Sequence, residues 1–355
     1  MKKNILFCGT PQFAIASLNS IIEHQDDLNY SLVGVVTIPD KKAGRGQKLK
    51  ESAVKKEAKL IKTQIFEPTN LSDAEFINEI KKLNLDLIIV VAFKKLPAIF
   101  FNIPKIGTIN LHASLLPQYR GAAPINWAII NGEKHTGLTT FFINKNIDTG
   151  DIILQSKIEI DETWHADDLH DKLMEESDQI IYKTIRLLID KNYKTINQKD
   201  KIKGKNLKHA PKIQKSDRMM TDNSFFINQT VKSIYNFIRG MSPPGVKTSL
   251  IIHKKKSDVN NTNSLIKTKN IIITKVGNYT NQPNHFFKEK TREIDLFRNN
   301  KDEISITNGL ESFNIEKLKL ENGKEITSKE FCNGFLKNKN HYNTISFKRT
   351  REKGA

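Results

Sequence analysis

The sequence predicts an α/β chain in two parts: a mostly parallel sheet interleaved with helices, then a small β-rich domain after a basic connector. Three observations predict this. Short apolar runs alternate with helical patterns over the first part of the chain. One run, LIIVVA (87–92), has no polar alternation, as expected of a strand buried on both faces. Beyond Gly245, short strand-like pieces separated by polar turns replace the alternation. At 355 residues the chain exceeds the roughly 250 to 300 at which one core stops growing, so two domains are expected.

Taken in order, KNILFCG (3–9) is an apolar run ending in Gly, and GTPQFAIASLNSII offers a Thr cap, Pro at the first helical position and helical spacing. SLVGVVT (31–37) is the second strand. After a long polar loop, helices are expected from about Ser52 and Ser72, followed by strand LDLIIVVAF (85–93). GTINLHA (107–113) is a strand, a helix opens near Pro124, and GLTTFFIN (137–144) and DIILQSKIEI (151–160) are strands before a long helix from about Asp167 to Leu188. In such a fold the ligand crevice lies at the carboxyl ends of the strands. From about Lys191 the chain turns polar and basic and reads as a linker. FFINQTVKSIYNFIRGMSPPG then reads as one helix ending in a Pro-Gly turn, and VKTSLII, NIIITKV, DEISITN and FNIEKLKL as strands of a small barrel or sandwich. The expected domains are 1–190, a linker over 191–208, and 209–345.

Composition excludes several classes. The two cysteines, Cys8 and Cys332, support neither a disulfide framework nor a Cys-based metal site, which suits a reducing compartment. No apolar run approaches the roughly 20 residues needed to span a bilayer, and no signal-peptide pattern is present, so a cytoplasmic protein without membrane contact is expected. Residues 1–200 hold 26 Lys and Arg against 25 Asp and Glu, whereas 201–355 hold 31 against 14, so nearly all of the net +18 lies in the last part. That asymmetry predicts a C-terminal region facing a polyanion. His135, His165, His170 and His209 lack a second ligand at metal spacing, so no metal is expected, and Trp127 and Trp164 read as packing residues. GTPQFA lacks the glycines of a dinucleotide fingerprint, so no NAD is expected.

The chemistry concentrates in NLHASLLPQYRGAAPINWA (110–128). Asn110 and His112, one residue apart at a strand end, point to the same side. An amide donor beside an imidazole can hold a developing oxyanion, and the imidazole can move a proton. Asp148, in the turn NIDTGD, is the expected third partner, orienting or charging His112. Arg120 leads into small residues that permit close approach, and a site-ordering role is expected for it.

NLHASLLPQYRGAAPI together with IDTGDI resembles the signature of the 10-formyltetrahydrofolate-dependent formyltransferases, and within them the methionyl-tRNA formyltransferases. FCGTPQFAIASL, PDKKAGRGQKL, VVAFKKLP, HAPKIQKSD and SIYNFIRGMSPPG match in order, densely to about residue 245 and faintly after it. The resemblance implies a Rossmann-like formyltransferase domain followed by an OB-like C-terminal β-barrel that binds tRNA. It implies Asn110, His112 and Asp148 as the catalytic three. The formyl donor, 10-formyltetrahydrofolate, would lie against Ser114, Leu115, Leu116 and Pro117, with Phe93 to Leu96 walling the pterin pocket. Lys41, Lys42, Arg45 and Lys48 would approach the acceptor end of an initiator methionyl-tRNA, and the protein would act as a monomer in translation initiation. Two departures stand out: MSPPG is one residue shorter than the usual motif, and VVAFKKLP is compact. The triplet alone also fits a formyltransferase for a small amine, such as a ribonucleotide or amino sugar. A non-catalytic RNA-binding protein on the same scaffold is the alternative of another class.

Overall fold

Strand β1 (Lys3–Gly9) sits in the middle of the sheet that organises the first half of the chain. The computed structural model describes residues 2–43, 48–202, 206–220, 225–226, 229–254, 265–282, 294–321, 323–338 and 341–347. They divide into two units. The first comprises residues 1–125, 135–159 and 168–211, and the second residues 126–134, 160–167 and 212–355.

In the first unit β1 is followed by α1 (Ala14–Glu23), β2 (Tyr30–Val36), α2 (Ala53–Leu60), β3 (Ile65–Phe66), α3 (Ala74–Lys82), β4 (Leu87–Val91) and β5 (Gly107–His112). After helix α4 (Pro124–Ile130) come β6 (His135–Phe142), β7 (Ile152–Glu159) and the long helix α5 (Ala166–Ile189). The sheet order is β7-β6-β5-β4-β1-β2-β3. Strands β1 to β5 pair in parallel, whereas β6 and β7 run antiparallel on the β5 edge. The chain winds outward from β1 in both directions, which makes a switch point between β1 and β4. β4 is buried at all five positions, as its unbroken apolar run predicts. One face of the sheet packs Leu6, Cys8, Ile88 and Val90 against Phe76, Ile77 and Ile80 of α3.

Two helix starts differ from the expectation. Pro11 opens a turn closed by the Ala14 amide donating to its carbonyl (3.0 Å), and regular helix begins only at Ala14. α3 is capped by Asp73 rather than Ser72: its carboxylate accepts from the Phe76 amide at 3.0 Å, the three-residue reach of an N-cap.

The second unit carries α6 (Val231–Gly240), β8 (Val246–Lys254), β9 (Leu265–Thr280), β10 (Asp295–Arg298), β11 (Ile304–Thr307), β12 (Ser312–Leu320) and β13 (His341–Phe347). These strands pair antiparallel in the order β10-β11-β12-β9-β8-β13. Register shifts along β9 bend it, and β10 returns close to β13, so the sheet curls into a small barrel. The helix anticipated from Phe225 starts instead at Val231, because Thr230 and Ser233 form a reciprocal capping box. Val231, Ile234, Tyr235 and Ile238 supply its buried stripe, and Tyr235 stacks on Tyr279 at 5.3 Å. Arg239, 4% exposed, donates to the Trp164 carbonyl at 2.6 Å and to Asn236 at 2.7 Å. His165 is buried, its Nε2 accepting from the Val276 amide at 3.2 Å, so it serves packing.

Candidate active site

The carboxyl ends of β4 and β5 lie side by side, with Val90 paired to Asn110 and Val91 to Leu111. Alternation along β5 puts Asn110 and His112 on one face and Leu111 on the other. His112 is nearly buried, and its Nε2 lies 2.9 Å from the Tyr119 carbonyl, so Nε2 carries the donated proton. That bond turns the Nδ1 edge toward Asp148, whose Oδ2 is 3.8 Å away. The separation exceeds a direct hydrogen bond and leaves Nδ1 able to serve a third group. The same Oδ2 accepts from the Gly121 amide at 2.9 Å. One short segment, 119–121, therefore holds both the imidazole and the carboxylate.

Asp148 occupies a left-handed backbone conformation (φ 53°), as do Tyr119 (φ 59°) and Ala92 (φ 48°), which follows β4. Such residues are uncommon outside glycine and persist where the surroundings over-determine them. The turn around Asp148 is held at both ends. Asn144 Oδ1 accepts from the Asn146 amide and the Thr149 hydroxyl, both at 2.9 Å. On the other side the Gln198 amide donates to the carbonyls of Asp148 (3.0 Å) and Gly150 (2.8 Å). Gln198 Oε1 accepts from Arg120 Nε (3.0 Å) and Nη2 (2.6 Å). Burial depresses the Arg120 pKa and the charge of Asp148 opposes the shift, so the guanidinium stays ionised beside the carboxylate. A Cβ on Gly150 would come within 1.6 Å of the Phe142 carbonyl oxygen, so backbone must move to admit one. Gly150→Ala is expected to cost about 3 kcal/mol in urea unfolding through this overlap; unchanged stability would show that the turn is not so confined.

The segment 119–121 is itself pinned by the chain beyond α5. Arg120 and Gly121 pair in parallel with His209 and Ala210, and the Tyr119 amide donates to the Lys208 carbonyl at 2.7 Å. Gly121 (φ 125°) has no room for a side chain, since a Cβ would meet the Ala210 oxygen at 2.4 Å. Ile196 bridges Ile152. The stretch expected as a linker over 191–208 thus lies within the first unit and contributes Gln198, a residue that sequence reasoning missed.

The apolar turn after His112 is also closely packed. Ser114 and Leu116 are buried at 0% and 1%, Pro117 is buried and Leu115 half-buried. Thr139 Oγ1 donates to the Ser114 carbonyl at 2.6 Å and accepts from the Leu116 amide at 3.1 Å. Gln155 Nε2 reaches the Leu116 carbonyl at 2.9 Å, and Gln155 Oε1 accepts from Lys201. Most polar backbone groups of this turn are therefore already engaged, and Leu115 is its half-buried apolar face. Phe93 is half-buried, and Leu96 belongs to the apolar core beneath it. Lys41 and Lys42 are exposed on a hairpin in which residues 41–43 pair antiparallel with 48–50, Lys48 opposite Ala43. Arg45 lies outside the described residues. Burial, then the charge of Lys41, lowers the pKa of the Lys94 ammonium. Among the described residues no group of His, Cys, Asp or Glu could hold a metal ion, and no helix is long and apolar enough to cross a membrane.

Residues 1–185 match the family model described as formyl transferase. The methionyl-tRNA formyltransferase of Bacteroides fragilis is 45% identical over 246 residues, which span 68% of this chain and 73% of that one. The chain belongs to the methionyl-tRNA formyltransferase family. The family member from Azobacteroides pseudotrichonymphae is 47% identical over 252 residues, covering 70% of this chain and 75% of its own. Among solved structures, a sugar 3N-formyl transferase crystallised with dTDP and 5-N-formyl-THF has a TM-score of 0.59 at 20% identity, covering 89% of this chain and 98% of that one. The N-formyltransferase of Helicobacter canadensis, complexed with folinic acid and dTDP-3-aminofucose, gives 0.59 at 19%, covering 89% and 99%. At such identity these two share the fold and nothing finer. The family membership establishes an enzyme of formyl transfer.

Proposed function

We propose that this enzyme transfers the formyl group of 10-formyltetrahydrofolate to the free α-amine of an initiator methionyl-tRNA, as a cytoplasmic monomer serving translation initiation. The observation that carries the proposal is the placement of His112 Nδ1, 3.8 Å from Asp148 on the strand face that also bears Asn110. In this reading the neutral amine attacks the formyl carbon, and the carbonyl oxygen becomes an oxyanion held by the Asn110 amide and by the Nδ1–H of a His112 ring protonated on both nitrogens. The tetrahedral intermediate collapses as its C–N10 bond breaks. Asp148 takes the proton lost by the amine and returns it, directly or through water, to N10 of the folate. The products are formylmethionyl-tRNA and tetrahydrofolate.

Binding is assigned from the family resemblance. The pterin lies along the Phe93 to Leu96 segment, and Leu115 offers the apolar face of the turn 114–117, whose packed backbone keeps that wall rigid. Lys41, Lys42, Arg45 and Lys48 are assigned to the acceptor end of the tRNA, as the family resemblance implies. The positively charged barrel tracks its phosphate backbone by counterion release, so phosphate contacts position the tRNA while identity is read near the acceptor end.

The deciding experiment offers the purified enzyme formyl donor with charged initiator tRNA, a ribonucleotide amine and an amino-sugar nucleotide in parallel. Transfer to the tRNA alone is expected, and transfer confined to a small amine would replace the acceptor assignment. A truncation keeping only the first unit must retain residues up to Pro211, because 208–210 brace the 119–121 segment. For the tRNA assignment, KM for the charged tRNA is expected to rise at least about tenfold between roughly 50 and 200 mM salt while folate KM stays level. A flat response for both substrates would defeat the polyanion reading.

A further inference from the structure

We infer that Gln198 is the positioning residue of Asp148, and that residues 196–202 and 206–210 beyond the long helix are part of the catalytic machinery rather than a tether between domains. The inference rests on the role of Asp148 proposed above.

Gln198 is 1% exposed and bridges two kinds of group. On one side stands Arg120, whose guanidinium only donates; on the other stand the carbonyls of Asp148 and Gly150, which only accept. An uncharged amide satisfies both at once. Its oxygen takes two N–H bonds from Arg120 (3.0 and 2.6 Å), and its NH2 reaches the two carbonyls (3.0 and 2.8 Å). The donor-only partner also fixes which way the amide points. The two carbonyls bracket the left-handed Asp148 (φ 53°) and the Gly150 whose missing Cβ admits the Phe142 oxygen. Gln198 therefore grips the backbone of the turn while the Gly121 amide grips its carboxylate at 2.9 Å. The same short helix, Gln198–Ile202, sends Lys201 three residues on to Gln155, which holds the Leu116 carbonyl (2.9 Å) in the turn after His112. One helical turn thus reaches the loops carrying both sides of the site.

Glutamate has the same shape but replaces the NH2 by an oxygen, so Gln198→Glu keeps Arg120 and loses both carbonyl bonds. Gln198→Leu removes all four. A misplacement of about 1 Å at a reacting group costs on the order of 100-fold. Each variant is expected to lower kcat about 10- to 100-fold while KM for folate and for charged tRNA moves less than about threefold. The decisive readout is a cycle with Asp148→Asn. If Gln198 acts through Asp148, adding either Gln198 substitution to Asp148→Asn lowers the rate no further than about twofold. Losses that multiply in the double variants, or a Gln198→Glu enzyme with wild-type kcat, overturn the inference. Should Gln198→Leu fail to fold, the isosteric Gln198→Glu decides alone, with its thermal midpoint read beside its rate. A wild-type enzyme inert toward methionyl-tRNA sinks the functional reading and this inference with it; an active wild type with additive variants sinks this inference only.

Discussion

His112→Ala is expected to lower kcat for formyl transfer by two to three decades while the enzyme still binds the folate, because one oxyanion donor typically contributes about 3 kcal/mol to the barrier. The structure explains why the loss falls on kcat. The imidazole is tied by Nε2 to the Tyr119 carbonyl at 2.9 Å, so its Nδ1 edge is presented in one orientation before any substrate arrives. A preorganised donor of this kind acts on charge that develops only in the transition state, leaving ground-state binding nearly untouched. Asn110→Ala should behave alike, since its side chain stands on the same strand face and makes no hydrogen bond among the described residues that would tie its amide elsewhere. Folate affinity measured by fluorescence quenching, beside single-turnover rates, checks both halves. A His112→Ala enzyme with near-normal turnover would remove the imidazole from the mechanism.

Asp148→Asn is expected to cost about three decades in kcat, by analogy with carboxylates that fix the tautomer of a catalytic imidazole. The asparagine oxygen can still accept from the Gly121 amide, which meets Asp148 at 2.9 Å, so the turn should survive. Its NH2 would then face Nδ1 and favour the neutral ring with a lone pair there, removing the second ring proton that an oxyanion needs. The amine proton would also lose its acceptor. Thermal unfolding near the wild-type midpoint, together with the rate loss, is the predicted pair of results. A variant that merely unfolds would point to a structural carboxylate, and one that turns over normally would remove Asp148 from the mechanism.

Much of the first unit was legible because its signals are local. The unbroken apolar run at 87–91 becomes the fully buried β4, and the two-residue spacing of Asn110 and His112 becomes a shared strand face. The pairing of His112 with Asp148, 36 positions apart in sequence, was legible through the family pattern, since no local spacing encodes it. Gln198 escaped because its function is tertiary: a polar residue among lysines and asparagines reads as solvated, and only the parallel pairing of 209–210 with 120–121 brings that stretch inside. Arg120 had a reason to be noticed, but its partner did not.

Helix starts failed for a related reason. A Ser or Thr before a periodic run is ambiguous by a residue or more, and at α3 it was Asp73, and at α6 Thr230, whose side chain met the amide three residues on. The barrel was faint because lysine and asparagine fill its exposed positions. Within NIIITKV the inward positions Ile271, Ile273 and Val276 are nonetheless buried, together with Ile304, Ile306, Phe313, Ile315 and Leu318 from neighbouring strands. The alternation is present in each strand but short, and the register shifts in β9 break it where the sheet bends.

The most direct measurement is the single-turnover rate of formyl transfer from 10-formyltetrahydrofolate to charged initiator tRNA, in the wild type, His112→Ala, Asp148→Asn and the double variant. An active wild type, with the double variant no slower than the more impaired single, is the result expected if imidazole and carboxylate serve one reacting carbon as a unit. Wild-type inactivity on that tRNA, or losses that multiply in the double variant, would contradict it.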